Sequence, residues 1–115
     1  MKIIHENQEY PVHSETNTLT ESIEEMLPVA LRLSRSAEHE YYASLPRPVS
    51  VDGAKSTTHV KAGWIYYFKD WNAFALNFRE ADIAPYIVYI IGEVAGGLED
   101  LLAEAGDTIE IKLSL

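Results

Sequence analysis

The architecture of this chain is clearest in residues 86–115, which read YIVYIIGEVAGGLEDLLAEAGDTIEIKLSL. Residues 86–94 are almost wholly apolar, which is typical of a strand that is buried on both sides or that closes a barrel. Gly96 and Gly97 then precede a predicted helix over about residues 98–105, with Gly106 as its cap. Residues 108–113 alternate between polar and apolar side chains, which predicts a last strand.

The residues before this segment predict further strands and one helix. Residues 2–7 and 9–14 predict two short strands, and Pro11 favours a position at the edge of a sheet. Between residues 16 and 27, Thr18 and Glu21 fit a capping box at the start of an amphipathic helix, which Pro28 ends.

The middle of the chain contains one clear strand and one long polar stretch. Residues 29–36, VALRLSRS, alternate with a period of two and predict a strand with one buried face. The polar residues that follow, as far as residue 58, predict a loop with one strand around residues 40–43. Long loops in compact domains are often functional, so this stretch is the predicted place for a site.

Aromatic residues are concentrated in a predicted hairpin. Residues 64–69 and 73–79 predict two strands around a turn at residues 70–72. The aromatic faces of the two strands are predicted to coincide across the pair, with Trp64, Tyr66 and Phe68 on one strand and Phe74, Leu76 and Phe78 on the other. Most of these rings are expected in the core, whereas Trp71, in the turn, is the best candidate for the wall of a pocket.

Composition restricts the class of protein. A chain of 115 residues favours a single domain over residues 1–115. The chain has no cysteine, which excludes disulfides and thiolate metal sites, and its formal charge of −9 disfavours nucleic acids and anionic membranes as partners. The polar N-terminal residues lack the apolar stretch of a signal peptide, so a cytoplasmic location is predicted. The oligomeric state is left open.

The order of the predicted elements favours a mainly β fold. Few helices separate many strands, which disfavours a doubly wound parallel sheet. A closed β-barrel with one or two short α-helices buries the sheet edges and accommodates the long apolar strand at residues 86–94.

A succession of short segments resembles the short bacterial cyclophilin-like proteins of unknown function, over roughly residues 2–114. These segments are the capped helix running into LPVALRLSRS, Glu-Tyr-Tyr, Ala-Gly-Trp-Ile-Tyr-Tyr, Asn-Ala-Phe and Ile-Gly-Glu-Val. The resemblance implies a cyclophilin-like closed barrel. Prolyl isomerases of the larger family carry Phe-His-Arg, and a cleft histidine four residues before the glycine of the closing strand. This chain has no Phe-His-Arg and has Val88 at the second position, which implies that isomerase activity is absent.

Three hypotheses for function follow. The first is binding of a small apolar or peptide ligand, or of a protein partner, in a barrel cleft. The alternative is a peptidyl-prolyl cis-trans isomerase with a non-standard site, in which Arg35 or Arg79 is the hydrogen-bond donor. The third is an assembly subunit that pairs with another chain through an exposed edge near residues 2–14. The candidate cleft residues are Arg35, Tyr41, Tyr42, Trp64, Trp71, Phe74, Phe78 and Arg79.

No cofactor or metal is predicted. Glu38, His39 and Glu40 suggest a metal site or an acid–base pair by residue type. Adjacent residues of a strand point to opposite faces, however, so three consecutive side chains are not expected to share one ligand geometry.

Overall fold

The computed structural model describes all 115 residues and contains eleven strands and two helices. In chain order they are β1 (Lys2–His5), β2 (Gln8–Ser14), α1 (Thr18–Glu24), β3 (Val29–Ser36), β4 (Glu40–Ser44), β5 (Ser56–Thr57), β6 (His59–Val60), β7 (Trp64–Phe68), β8 (Ala73–Asn77), β9 (Ala81–Asp82), β10 (Val88–Val94), α2 (Leu98–Ala103) and β11 (Thr108–Ser114). Neither helix is long and apolar enough to cross a membrane.

Eight strands form a closed antiparallel barrel in the order β2-β1-β11-β3-β4-β8-β7-β10. The barrel closes because β10 pairs with β7 along its length and also with β2, where Gly92 lies opposite Ser14. The predicted fold class, a mainly β closed barrel with short helices, is confirmed. The predicted edge position of Pro11 is wrong, since β2 has β1 on one side and β10 on the other.

The barrel interior holds the main hydrophobic core, a cluster of 21 buried residues. Alternate residues of β3 and β11 point into it, as the period of two in their sequences predicts. Both helices contribute fully buried side chains to the same cluster, Leu19 and Ile23 from α1 and Leu98 and Leu102 from α2. Both helices therefore pack against the residues of the barrel interior.

The two helix caps differ from the predicted ones. The Oδ1 atom of Asn17 accepts a hydrogen bond of 2.9 Å from the backbone N–H of Thr20, so Asn17, and not Thr18, is the N-cap of α1. The last helix is shorter than predicted and ends with Glu104, and not Gly106, at its C-cap. Both Asn and Thr cap helices well, so residue type alone did not distinguish the two positions.

In the β7–β8 hairpin, the aromatic side chains that are predicted to share one face point to opposite faces. Phe68 pairs with Ala73, and the period of two then places Phe74 opposite Tyr67 in the core. The predicted coincidence of the two aromatic faces is therefore wrong. The β7 side chains that point away from the barrel interior are those of Trp64, Tyr66 and Phe68.

A second layer lies on the outer face of β7 and β8. It consists of residues 54–62 and 79–87, which we call the covering segments and which carry β5, β6 and β9. Strands β6 and β9 pair with each other, and β5 pairs with the start of β10. Val60 packs against Tyr66, Ala75 and Val88 in a small second core. These three short strands were not predicted, because two-residue strands leave no periodic signal in the sequence.

Candidate functional site

A groove with a volume of about 370 Å³ lies on the outer face of the barrel, at one end of the covering segments. It runs between the turn before β4, the β7–β8 hairpin and the second covering segment. Its apolar lining residues are Ala37, Tyr42, Phe68, Trp71, Ala73, Ile83 and Tyr86, and its polar ones are Ser36, His39 and Glu40. The volume falls within the range of small-molecule sites in proteins.

The aromatic wall follows from the hairpin register. Because Phe68 pairs with Ala73, its ring points to the outer face, and Ala73 offers only a methyl group beside it. Trp71 lies in the turn with 59% of its surface exposed, its ring centroid 5.3 Å from that of Phe68 and 5.9 Å from that of Tyr86. The three rings are tilted against one another by 66° and 51°, so they form a concave wall and not a flat stack.

Four polar side chains form a hydrogen-bonded network at the other end of the groove. The Tyr66 hydroxyl donates to Oε1 of Glu40 at 2.5 Å. Asn77 donates through Nδ2 to the carbonyl oxygens of Lys61 and Arg79, so its Oδ1 is an acceptor. The Nδ1 atom of His39 lies 2.8 Å from this Oδ1 and must therefore carry the proton.

Two atoms of this network have no partner within the chain. The Oε2 oxygen of Glu40 makes no hydrogen bond to protein, and neither does Nε2 of His39, while both residues line the groove. With Nδ1 protonated, a neutral His39 has an acceptor at Nε2. The polar end of the groove therefore presents two side-chain groups to a bound molecule.

Burial controls the electrostatics of Glu40. The residue is only 6% exposed, and loss of hydration raises the pKa of its carboxyl above the ordinary value. The hydrogen bond from Tyr66 and the nearby His39 partly offset this increase in pKa. The pKa of Tyr66 is raised strongly, by burial first and then by the adjacent carboxylate, so Tyr66 remains a donor. Glu40 can accept a hydrogen bond when ionised and donate one when protonated.

Comparison with known proteins identifies the family. A model of the cyclophilin-like family matches residues 3–114, almost the whole chain. The chain belongs to the cyclophilin-like family. No curated protein is similar enough in sequence to this cyclophilin-like chain to be matched.

A solved structure of another protein has the same fold. It is the solution structure of the hypothetical protein AF2241 from Archaeoglobus fulgidus, which is 19% identical to this cyclophilin-like chain with a TM-score of 0.63. The alignment covers 98% of this chain and 91% of the archaeal one. At this identity the likeness concerns the fold and not the activity.

The cyclophilin-like barrel brings only two of the eight predicted cleft residues into the groove, Tyr42 and Trp71. Tyr41 and Phe74 have no exposed surface and belong to the main core. Trp64 lies on the outer face, with the Lys61 ammonium 6.0 Å from its ring centroid. Alternation along the strands explains the division, because Tyr41 and Tyr42 point to opposite faces of β4.

The remaining three predicted residues form a separate stack. The ring of Phe78 lies between two guanidinium groups, 4.4 Å from that of Arg35 and 5.3 Å from that of Arg79. Arg35 also donates to the carbonyl oxygens of Leu102, Ala103 and Ala105, at and just beyond the end of α2. Arg79 donates to the carbonyl oxygen of Glu38 at 2.8 Å. Both arginines are thus engaged by the backbone of this cyclophilin-like chain.

Sequence reasoning missed Tyr66 and Asn77 as members of the network, and the strand alternation assumed for residues 38–40 does not apply to His39. Ala37 and Glu38 have positive φ angles and form a tight turn, so His39 precedes β4 instead of alternating within it. The side chains of His39 and Glu40 therefore converge, with Nδ1 3.6 Å from Oε1. The chain does not bring together three His, Cys, Asp or Glu side chains in a metal-binding arrangement. Val88 lies fully buried in the second core.

Proposed function

We propose that this cyclophilin-like domain binds a small ligand in the outer groove, with the ligand's ring or other apolar body against the aromatic wall and a polar group toward Glu40. One observation carries the proposal: an open aromatic wall leads to a buried carboxyl whose Oε2 oxygen has no partner within the chain. The carboxyl is largely buried, but its Oε2 oxygen is not among the fully buried polar atoms and is open to the groove, where a donor on a ligand can replace water.

Binding is proposed in preference to prolyl isomerisation. The arginines considered as donors for the twisted imide, Arg35 and Arg79, already donate to backbone carbonyl oxygens and do not line the groove. A cytoplasmic location and the absence of nucleic-acid and membrane partners stay predictions.

The proposal is tested by fluorescence, because the chain has only two tryptophans. A Trp64→Phe variant leaves Trp71, in the groove wall, as the only tryptophan, and Trp71→Phe leaves Trp64, outside the groove. A library of small ring compounds is titrated into both variants. We expect binding compounds to change the emission of the Trp64→Phe variant and to leave that of Trp71→Phe nearly unchanged.

Amide chemical shifts supply an independent readout of the same titration. Shifts concentrated on β4, the β7–β8 turn and residues 83–86 support the groove. Binding compounds that shift only amides elsewhere, or a library without any binding compound, would contradict the proposed function.

A further inference from the structure

The groove lining has one carboxyl group, that of Glu40, and no permanently positive side chain, since no lysine or arginine lines the groove. His39 is held with its protonated Nδ1 toward Asn77, which leaves the lone pair of a neutral ring at Nε2 available to the groove. Both groups favour a ligand that brings a hydrogen-bond donor or a positive charge, and both disfavour an anion.

The aromatic wall favours the same kind of ligand. Aromatic rings have a negative face, and a cation within about 6 Å of a ring centroid is attracted to it, most strongly by tryptophan. Trp71, Phe68 and Tyr86 stand at angles to one another around the groove, and Tyr42 adds a fourth ring. A wall of several rings beside a carboxyl is the arrangement by which proteins bind alkylated ammonium ions.

We infer that the ligand of this groove is a small organic ammonium ion, held against the aromatic wall and facing the carboxylate of Glu40. The inference rests on the proposed function and specifies the class of its ligand. The volume of about 370 Å³ suits a compact cation. The net charge of −9 adds a long-range attraction for cations.

Binding of a cation is coupled to the protonation of Glu40. Burial favours its protonated form, whereas a positive charge in the groove favours the ionised form. The groups that face Glu40 are Tyr66 on β7, Asn77 on β8, Ser36 opposite it on β3, and the adjacent His39. The cation therefore binds with loss of a proton from Glu40 wherever that carboxyl is still protonated. Its affinity falls as the pH is lowered through the pKa of Glu40 in the free protein.

The test compares two probes of equal shape and different charge. Choline carries a trimethylammonium group, and 3,3-dimethylbutan-1-ol carries a neutral tert-butyl group in its place. Both are titrated by amide chemical shifts and calorimetry at about pH 8, above the range in which histidine ordinarily titrates. We expect choline to bind the wild-type protein about tenfold more tightly than the alcohol or better.

Two variants assign the preference to the groove. Glu40→Gln keeps an acceptor for Tyr66 and removes the negative charge, so we expect the preference for choline to fall to about twofold or less. Trp71→Leu replaces an exposed aromatic ring by an apolar side chain. It should weaken choline binding more than binding of the alcohol. Thermal unfolding of both variants shows whether the barrel is intact.

The outcomes separate this inference from the proposed function. Equal binding of choline and the alcohol by the wild-type protein overturns the cation inference and leaves the groove as a binding site. An unchanged preference for choline in Glu40→Gln also overturns the inference. Binding of neither probe overturns it as well, while the fluorescence titration decides the proposed function separately. A trimethyl-lysine peptide that binds more tightly than choline would support the ammonium chemistry and identify a protein side chain as its source.

Discussion

Glu40 is a carboxyl that the fold buries without giving both of its oxygens a partner within the chain. The desolvation of such a group is a cost that the protein bears in the absence of a ligand. The hydrogen bond from Tyr66 reduces this cost but does not remove it, since burial remains the largest influence on the pKa of Glu40. Ionised Glu40 therefore lowers the stability of the ligand-free protein.

The pH dependence of stability tests this description of Glu40. The folded-state pKa lies above the ordinary value of 4.5, so in the pH range between the two values the folded protein keeps a proton that the unfolded chain has lost. Through Glu40, stability is therefore highest below pH 4.5, falls as the pH rises through this range, and is level above it. Glu40→Gln cannot ionise. We expect its free energy of unfolding, relative to the wild type, to rise with pH by up to about 1.4 kcal/mol per pH unit in this range.

Urea unfolding at a series of pH values measures this difference. Glu38→Gln is the matched control, because the Glu38 side chain is 83% exposed and only two residues away. It should differ from the wild type by an amount that hardly changes with pH. A difference between Glu40→Gln and the wild type that is constant with pH would show that Glu40 has an ordinary pKa.

At the scale of elements, β10 joins the two halves of the barrel. It pairs with β7 along its length, with β5 at its start and with β2 at its end, and its register with β7 shifts between Ile90 and Gly92. Gly92 lies at this shift, where a Cβ atom would collide with the backbone carbonyl oxygen of His13. The glycine is therefore required by the close approach of two strands and not by its own backbone angles.

The replacement Gly92→Ala tests this requirement. Because the obstructing atom is backbone, the strands must separate to accept the methyl group, and we expect the free energy of unfolding to fall by about 3 kcal/mol. Gly106→Ala is the control, since nothing lies within 4 Å of the Cβ it would add. Denaturant titration of both variants measures the effect. Equal stabilities for the two would refute the close contact between β10 and β2.

Elements were predictable where their signal is local. The alternation in residues 29–36 gave β3 its observed bounds, because the period of two needs no knowledge of the partner strands. Which side chains of β7 and β8 share a face was not predictable, because this depends on which two residues are paired next to the turn. The candidate site was missed for a related reason. Tyr66 and Glu40 are 26 positions apart, and only the barrel brings them together.

At the scale of the whole molecule, the structure has a continuous barrel and a thinner layer over part of it. The barrel strands share long ladders, such as the six residue pairs of β11 with β3. The covering segments are joined to each other by β6 and β9, which share only two residue pairs. The groove lies between these two parts, so Ile83 and Tyr86 come from the layer with fewer hydrogen bonds.

Amide hydrogen exchange should reveal this division. We expect amides of the covering segments, such as that of Ile83 bonded to the Thr58 carbonyl, to exchange about 100-fold faster than those of β3 and β11, because the segments can open without opening the barrel. A ligand in the groove should slow the exchange of the second covering segment. Equal protection of both parts would mean that the covering segments open only with the barrel.

The pairing of β1 with β11 has a consequence for synthesis of the chain. Lys2 lies opposite Ser114, so β1 needs β11, which is synthesised after all the other strands of the barrel, as a neighbour. Strand β3 also pairs with β11 along most of its length. A nascent chain without β11 leaves both strands with an open side, and the barrel has a gap between them. Because β1 and β3 cannot complete their pairing without β11, the barrel acquires its native form only after β11 has left the ribosome.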